Sequence, residues 1–300
     1  MKFSTYTIAC FILLSSCGTQ KKMKTAERSI QTFEQQTQAE LAGLLQIKNT
    51  VQAKSSQKNI DSSSTHQLQA KFSKLEDSIS NKQSKANAVR KFMNIRKDFR
   101  RSYKNNVLPL IVEIDTFNNQ SGKRDRIYAM LRDAVNTANY NLFDFAAFFD
   151  PGVYRIPPQG IENVNKMFGP VIDSIITFSN KYTDIPHTAS IVLLGYADGL
   201  GISDSTELFA TLSEMLKDTM PGRPALNRQL SQLRAQALQS QLKNLVVQKA
   251  PLFSNFNNIR LGYIAQGRGE EYPLPGIKDY QEDDDRRRIV LCYWTIIPEF

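Results

Sequence analysis

The chain has 300 residues, enough for one full-sized domain with an extension or for two smaller domains. Its hydrophobic content of 41% and its mean hydropathy of -0.38 exclude a protein with many membrane spans. The formal net charge of +9, from 38 basic and 29 acidic residues, favours anionic surroundings such as a nucleic acid, a lipid headgroup or a cell-wall polymer.

The first 16 residues have the composition of an export signal. Lys2 precedes a short apolar run, Ile8–Leu14, which is too short to span a bilayer. The sequence that closes this run, Leu14-Ser-Ser-Cys17, resembles the lipobox of bacterial lipoproteins. The resemblance implies cleavage before Cys17, acylation of its thiol and anchoring in outer-membrane lipid on the periplasmic side. The alternatives are an ordinary secretion signal with a coincidental cysteine and an uncleaved anchor.

Residues 17–135 differ in composition and predict a helical stalk. The stretch Thr19–Asn105 lacks proline and has one glycine, which favours helix over a packed globule. Apolar residues from Leu68 to Met93 recur in a heptad pattern, and Asp61 or a serine after it could cap this second helix. The pattern predicts either an antiparallel hairpin or a self-associating coiled coil. A partly ordered, solvated stalk is the alternative.

Two parts of this region have more than one interpretation. Lys82–Lys104 contains nine basic residues and one acid, so it is either a patch for anionic lipid or wall polymer or a solvated helix face. Export argues against a nucleic-acid partner. Val107–Ile114 is apolar and predicts a strand or a buried connector, and Arg124–Thr137 predicts a short helix before the next domain.

The C-terminal half, residues 136–300, contains four motifs. They are Gly195-Tyr-Ala-Asp198-Gly-Leu-Gly201, Asn227-Arg-Gln-Leu-Ser-Gln-Leu-Arg234-Ala235, Gly267-Arg-Gly269 and Arg286-Arg-Arg-Ile-Val290. The first follows a β-branched apolar run that predicts a strand, and leucines at helical spacing place the second on a helix with Arg234 at the edge of its apolar face. Asp198 and Arg234 can therefore project into one cleft, where an acid and a base would hold a zwitterion.

These four motifs, in this order, resemble the C-terminal peptidoglycan-binding domain of the OmpA-like family. The resemblance implies an α+β fold, with a β-α-β-α-β-β mixed sheet and helices on one face. It also implies that Asp198 and Arg234 bind the amino-acid end of diaminopimelate in the wall peptide. Asn227 would add an amide hydrogen bond, and Asp144 and Arg287 are weaker candidates for the same cleft.

This sequence departs from the family pattern in three places. Tyr196-Ala197 replaces the usual His-Thr, and Arg286 replaces an asparagine. Ser203–Arg223 is an insertion with a predicted helix over Leu208–Lys217, which would lid or reshape the cleft. Each change leaves the acid and the base in place and bears on ligand specificity.

The sequence favours a binding protein over an enzyme. His66 and His187 are far from any cysteine or paired carboxylate at metal spacing, and no nucleophile elbow or phosphate loop is present. Cys292 is predicted to be a small buried residue. The prediction is a non-catalytic protein without metal or cofactor that tethers the outer membrane to peptidoglycan. The alternative is an assembly module of an envelope secretion, motility or transport machine that binds a protein partner.

Overall fold

The computed structural model describes residues 4–144, 153–274 and 276–300, with side chains over 18–138, 153–274 and 276–300. The chain divides into two compact units, residues 1–49 with 67–129 and residues 50–66 with 130–300. Among the described residues, no helix is long and apolar enough to cross a membrane. The side chains of Cys17 and Asp144 lie outside these ranges, so the lipidation of Cys17 stays a prediction.

In the described residues, five α-helices precede the sheet. They are α1 (Ser4–Ser56), α2 (Ser62–Met93), α3 (Arg96–Ser102), α4 (Leu108–Asn119) and α5 (Ser121–Thr137). A single π-helical turn, Tyr103–Val107, joins α3 to α4. The carboxylate of Asp61 accepts a hydrogen bond of 2.9 Å from the backbone N–H of Ser64, so Asp61 caps α2 as predicted.

The first unit contains the two antiparallel legs of a hairpin of α1 and α2, whose tip, residues 50–66, belongs to the second unit. Arg90 of α2 bonds both carboxylate oxygens of Glu34 of α1, at 2.6 and 2.8 Å. Lys48, which follows Glu34 in α1, bonds Glu76, which precedes Arg90 in α2, at 2.7 Å, so the two helices run in opposite directions. The hairpin is thus one of the two predicted arrangements, and self-association of the stalk stays a prediction.

The apolar segment Val107–Ile114 is helical, so the expectation of a strand or connector was wrong. Ile111, Ile114 and Phe117 are buried at helical spacing and pack in one cluster with Phe33 of α1. The proline at the start of α4 is tolerated because the first turn needs no N–H donor.

Part of the basic segment is paired within the bundle. Lys82 and Lys85 both bond Glu113 of α4, and these hydrogen bonds lower the pKa of Glu113 to about 2. With the Arg90–Glu34 pair, three of the nine basic residues therefore meet acids that come from other helices. The remaining part of the segment keeps both interpretations, a solvated face or an anion-binding patch.

The second unit contains the predicted α+β fold. Its elements are β1 (Asn139–Asp144), α6 (Pro158–Lys181), β2 (His187–Gly195), α7 (Glu207–Leu216), α8 (Arg223–Lys249), β3 (Ile259–Gly267) and β4 (Ile289–Pro298). The strands lie in the order β1-β4-β2-β3. Strands β2 and β3 are parallel and are joined through α8, while β4 is antiparallel to both β1 and β2. The mixed sheet is confirmed, and α7 is the helix predicted within the insertion.

Helix α8 lies directly on β2 and β3, at two glycines. A Cβ atom added to Gly195 would lie 2.3 Å from the carbonyl oxygen of Ser231, and one added to Gly267 would lie 2.3 Å from that of Arg228. No side chain fits at either position, so these glycines permit the close approach of helix and sheet. Gly267 is thus a position at which the helix approaches the strand too closely for any side chain.

The opposite face of the sheet packs against the tip of the α1–α2 hairpin, residues 50–66. Val192, Leu194 and Tyr196 belong to an apolar cluster on this face, and the tip closes a cavity of about 280 Å³ over them. Cys292 is fully buried in β4, as predicted, and burial raises the pKa of its thiol.

His187, at the start of β2, makes the stability of this unit depend on pH. Its ring is buried, with Nδ1 2.6 Å from the carbonyl oxygen of Ile185 and Nε2 3.0 Å from the hydroxyl of Ser179. Burial lowers the pKa of His187 below its ordinary value of 6.5, and the bond to Ile185 opposes this only in part. The folded state therefore favours the neutral ring, so stability is fully present above pH 6.5 and falls as the pH drops below it.

We expect the free energy of unfolding to fall by up to about 1.4 kcal/mol per pH unit below that point. Urea unfolding at pH 7.5 and 5.5, compared between wild type and His187→Gln, measures this. The variant should be less stable at pH 7.5 but should lose this part of the pH dependence. An identical pH dependence in both proteins would exclude His187 as its source.

Candidate ligand-binding cleft

Asp198 and Arg234 line one cavity of about 570 Å³ in the second unit. Asp198 follows the C-terminal end of β2, and Arg234 lies on α8, which crosses that strand. The structure therefore brings together the acid and the base that the sequence singled out. Their binding roles stay predictions.

Arg234 is a deeply buried guanidinium. Its side chain is 4% exposed, and Nε donates a hydrogen bond of 3.0 Å to the carbonyl oxygen of Val153. Burial lowers the pKa of Arg234 to about 10, against the opposing effect of the Asp198 charge. Because water is largely excluded around this group, a carboxylate that reaches it would make a stronger bond than in solvent.

Arg288 also lines the cavity, and the sequence did not single it out. Its Nε donates to Oδ2 of Asp198 at 2.5 Å, and its Nη1 lies 2.8 Å from a carboxylate oxygen of Asp285. Burial lowers the pKa of Arg288, but the bond to Asp198 and the charges of nearby acids outweigh this and raise the pKa above its ordinary value. Among the residues whose side chains the structure describes, the charged groups of the lining are two arginines and one aspartate, so this part of the lining is net positive.

Asn227 and Arg287 bond mainly to the chain around the cleft. Asn227 lines the cavity, and its amide nitrogen donates to the carbonyl oxygens of Asp198 and Leu200, at 3.2 and 3.0 Å, and to Glu270 at 2.9 Å. These bonds hold the loop that carries Asp198.

Arg287 does not line the cavity. Its guanidinium donates to three backbone carbonyl oxygens, those of Gln281, Glu282 and Glu270. For Asp144 the structure gives the backbone alone, which pairs with Ile289 beside Arg288. The binding roles of Asn227, Arg287 and Asp144 stay predictions.

The insertion supplies one wall of the cleft. Thr206 caps α7 by accepting a hydrogen bond of 3.2 Å from the backbone N–H of Phe209. Leu212 is buried against Leu226 and Leu230 of α8, which fixes the helix in place. Insertion residues that line the cavity are Ser203, Thr206 and Leu208.

Comparisons with known proteins find distant structural likenesses. No protein-family model matches the chain, and no curated protein matches it. A MotB-like protein from Desulfovibrio vulgaris is 16% identical over 59% of this chain and 92% of its own, with a TM-score of 0.30. The OmpA-like domain of FopA1 from Francisella tularensis is 21% identical over 54% of this chain and 73% of its own, with a TM-score of 0.25.

The periplasmic domain of Helicobacter pylori MotB is 12% identical over 53% of this chain and 74% of its own, with a TM-score of 0.29. These likenesses are too distant to assign a function to this chain. The function proposed below therefore depends on the residues of the cleft.

Proposed function

We propose that the second unit is a non-catalytic module that binds peptidoglycan through the diaminopimelate of the stem peptide. The observation that supports this is the presence of Asp198 and Arg234 in the lining of one cavity. The carboxylate of Asp198 would accept from the ligand's ammonium, and the guanidinium of Arg234 would donate to its carboxylate. Arg288 already bonds Asp198, so it would orient this acid and add a second positive charge beside the ligand.

We further propose that the protein tethers the outer membrane to the wall. An acylated Cys17 would anchor the chain in outer-membrane lipid, with the rest of the protein in the periplasm. The helical region of residues 17–135 would then connect the anchor to the binding module. Self-association or an envelope protein as a further partner is compatible with this arrangement.

The peptidoglycan proposal predicts that Asp198→Asn weakens retention on purified sacculi. The substitution keeps the size of the side chain and removes the charge that an ammonium needs. We expect the affinity to fall by about 10- to 100-fold, the range for a hydrogen bond to a charged group. Co-sedimentation with sacculi over a range of protein concentrations measures this.

Asp173→Asn provides the matched control, because Asp173 lies on α6, pairs with Lys249 and does not line the cleft. Equal retention of wild type and Asp198→Asn would contradict the cleft assignment. If cross-linking in cells then captured one envelope protein in stoichiometric amount, the module would be an assembly component instead.

A further inference from the structure

A second hollow adjoins the cleft and has no part in the function proposed above. Its volume is about 210 Å³, and its walls include Arg155, Glu207 and Thr211. Val153 and Leu208 line both this hollow and the 570 Å³ cavity. The two spaces therefore share these two apolar side chains, which form the ridge between them.

Both sides of the ridge are held in place. The backbone carbonyl oxygen of Val153 accepts a hydrogen bond from Nε of Arg234, and Val153 is 38% exposed. Leu208 packs beside buried Leu212 on α7, the helix of the insertion. A ligand longer than one amino acid would leave the charged cavity across this exposed apolar surface and enter the hollow.

The hollow is lined by two charged side chains, Arg155 and Glu207, that form no ion pair in the described part of the chain. The guanidinium carbon of Arg155 lies 5.8 Å from the ring centre of Tyr154, and both residues line the hollow. Glu207 stands in the first turn of α7, where the helix end stabilises a negative charge. Neither residue pairs with an opposite charge within residues 18–138, 153–274 and 276–300. Arg155 can therefore fork onto a carboxylate, and Glu207 can accept from a peptide N–H.

We propose that this hollow is a second subsite, for the wall-peptide residue next to diaminopimelate, and that it selects a residue with a free carboxylate. The proposal rests on the function proposed above, because the diamino acid must first occupy the cavity of Asp198 and Arg234. Arg155 binds the neighbouring carboxylate, and the backbone between the two residues crosses the Val153–Leu208 ridge. Since Glu207, Leu208 and Thr211 belong to the insertion, the insertion extends recognition from one residue to two.

The experiment compares three probes on the full chain by calorimetry. They are free diaminopimelate, a tripeptide in which a glutamate with a free α-carboxylate precedes diaminopimelate, and the same tripeptide with that carboxylate amidated. Wild type should bind the free-carboxylate tripeptide about fivefold more tightly than the amidated one, as for an exposed charge pair. Arg155→Ala should remove this difference and leave the affinity for free diaminopimelate unchanged.

Arg260→Ala is the matched control, because Arg260 is an exposed arginine at the far end of β3 and lines neither space. This variant should keep the fivefold preference. Equal affinity of wild type for the two tripeptides, or a preference that survives Arg155→Ala, would overturn the subsite while leaving the diaminopimelate site intact. Absence of binding to all three probes would overturn the proposed function together with the subsite.

Discussion

Replacing Gly267 with alanine is expected to lower the free energy of unfolding by about 3 kcal/mol, near the upper end for overpacking a tight contact. The added Cβ would lie 2.3 Å from the carbonyl oxygen of Arg228 and 2.6 Å from the backbone nitrogen of Gln232. Both atoms belong to the backbone of α8, so no side chain can rotate away. The helix would have to move off the sheet, and with it Arg234 and the cleft.

Gly262→Ala on the same strand is the control. Its added Cβ would lie 3.6 Å from a methyl carbon of Thr188, an ordinary contact. Its stability should stay within about 1 kcal/mol of wild type, since alanine also restricts the unfolded chain. Urea unfolding of the three proteins measures the difference. Equal stability of Gly262→Ala and Gly267→Ala would mean that α8 does not press on β3 as closely as the structure indicates.

Much of the fold could be predicted because its signals are local. Composition and heptad spacing predict the long helices, and the family resemblance of the four C-terminal motifs implies the mixed sheet. The prediction for Val107–Ile114 was wrong because a short apolar run suits a buried helix and a strand equally well. What decided between them was packing against Phe33 and the rest of the bundle, which lies far away in the sequence.

The cleft could be predicted in part. Asp198 and Arg234 could be predicted because Asp198 follows a strand and Arg234 lies on the helix that crosses that strand. Arg288 was missed because it stands in a run of three arginines, and the motif resemblance drew attention to Arg287. Side chains alternate between the two faces of a strand. Cys292 of β4 pairs with Leu193 of β2, and the even-numbered residues of β4 lie on the sheet face that α8 covers. Arg288 lies two residues before Val290, outside the strand, and the structure places it with Arg234 in the lining of the cleft.

Replacing Arg234 with methionine is expected to remove ligand binding without unfolding the domain. Methionine fills a similar volume and removes the desolvation cost of a buried charge. Asp198 keeps its bond to Arg288, so its carboxylate still has a charged partner. The carbonyl oxygen of Val153 loses one donor, which costs about 1 kcal/mol. The affinity for sacculi should fall by at least about 30-fold, as when one partner of a buried charge pair is removed.

Arg287→Met tests the neighbouring arginine by the same two measurements, thermal unfolding and sacculus retention. Its three carbonyl acceptors would lose their donor, so we expect a loss of about 2 kcal/mol in stability with retention preserved in the folded protein. If Arg287 binds a peptide carboxylate, as the family resemblance implies, its variant should also lose retention. The opposite pattern, with Arg234→Met unstable yet still retained, would assign Arg234 to holding Val153 in place and remove it from ligand binding.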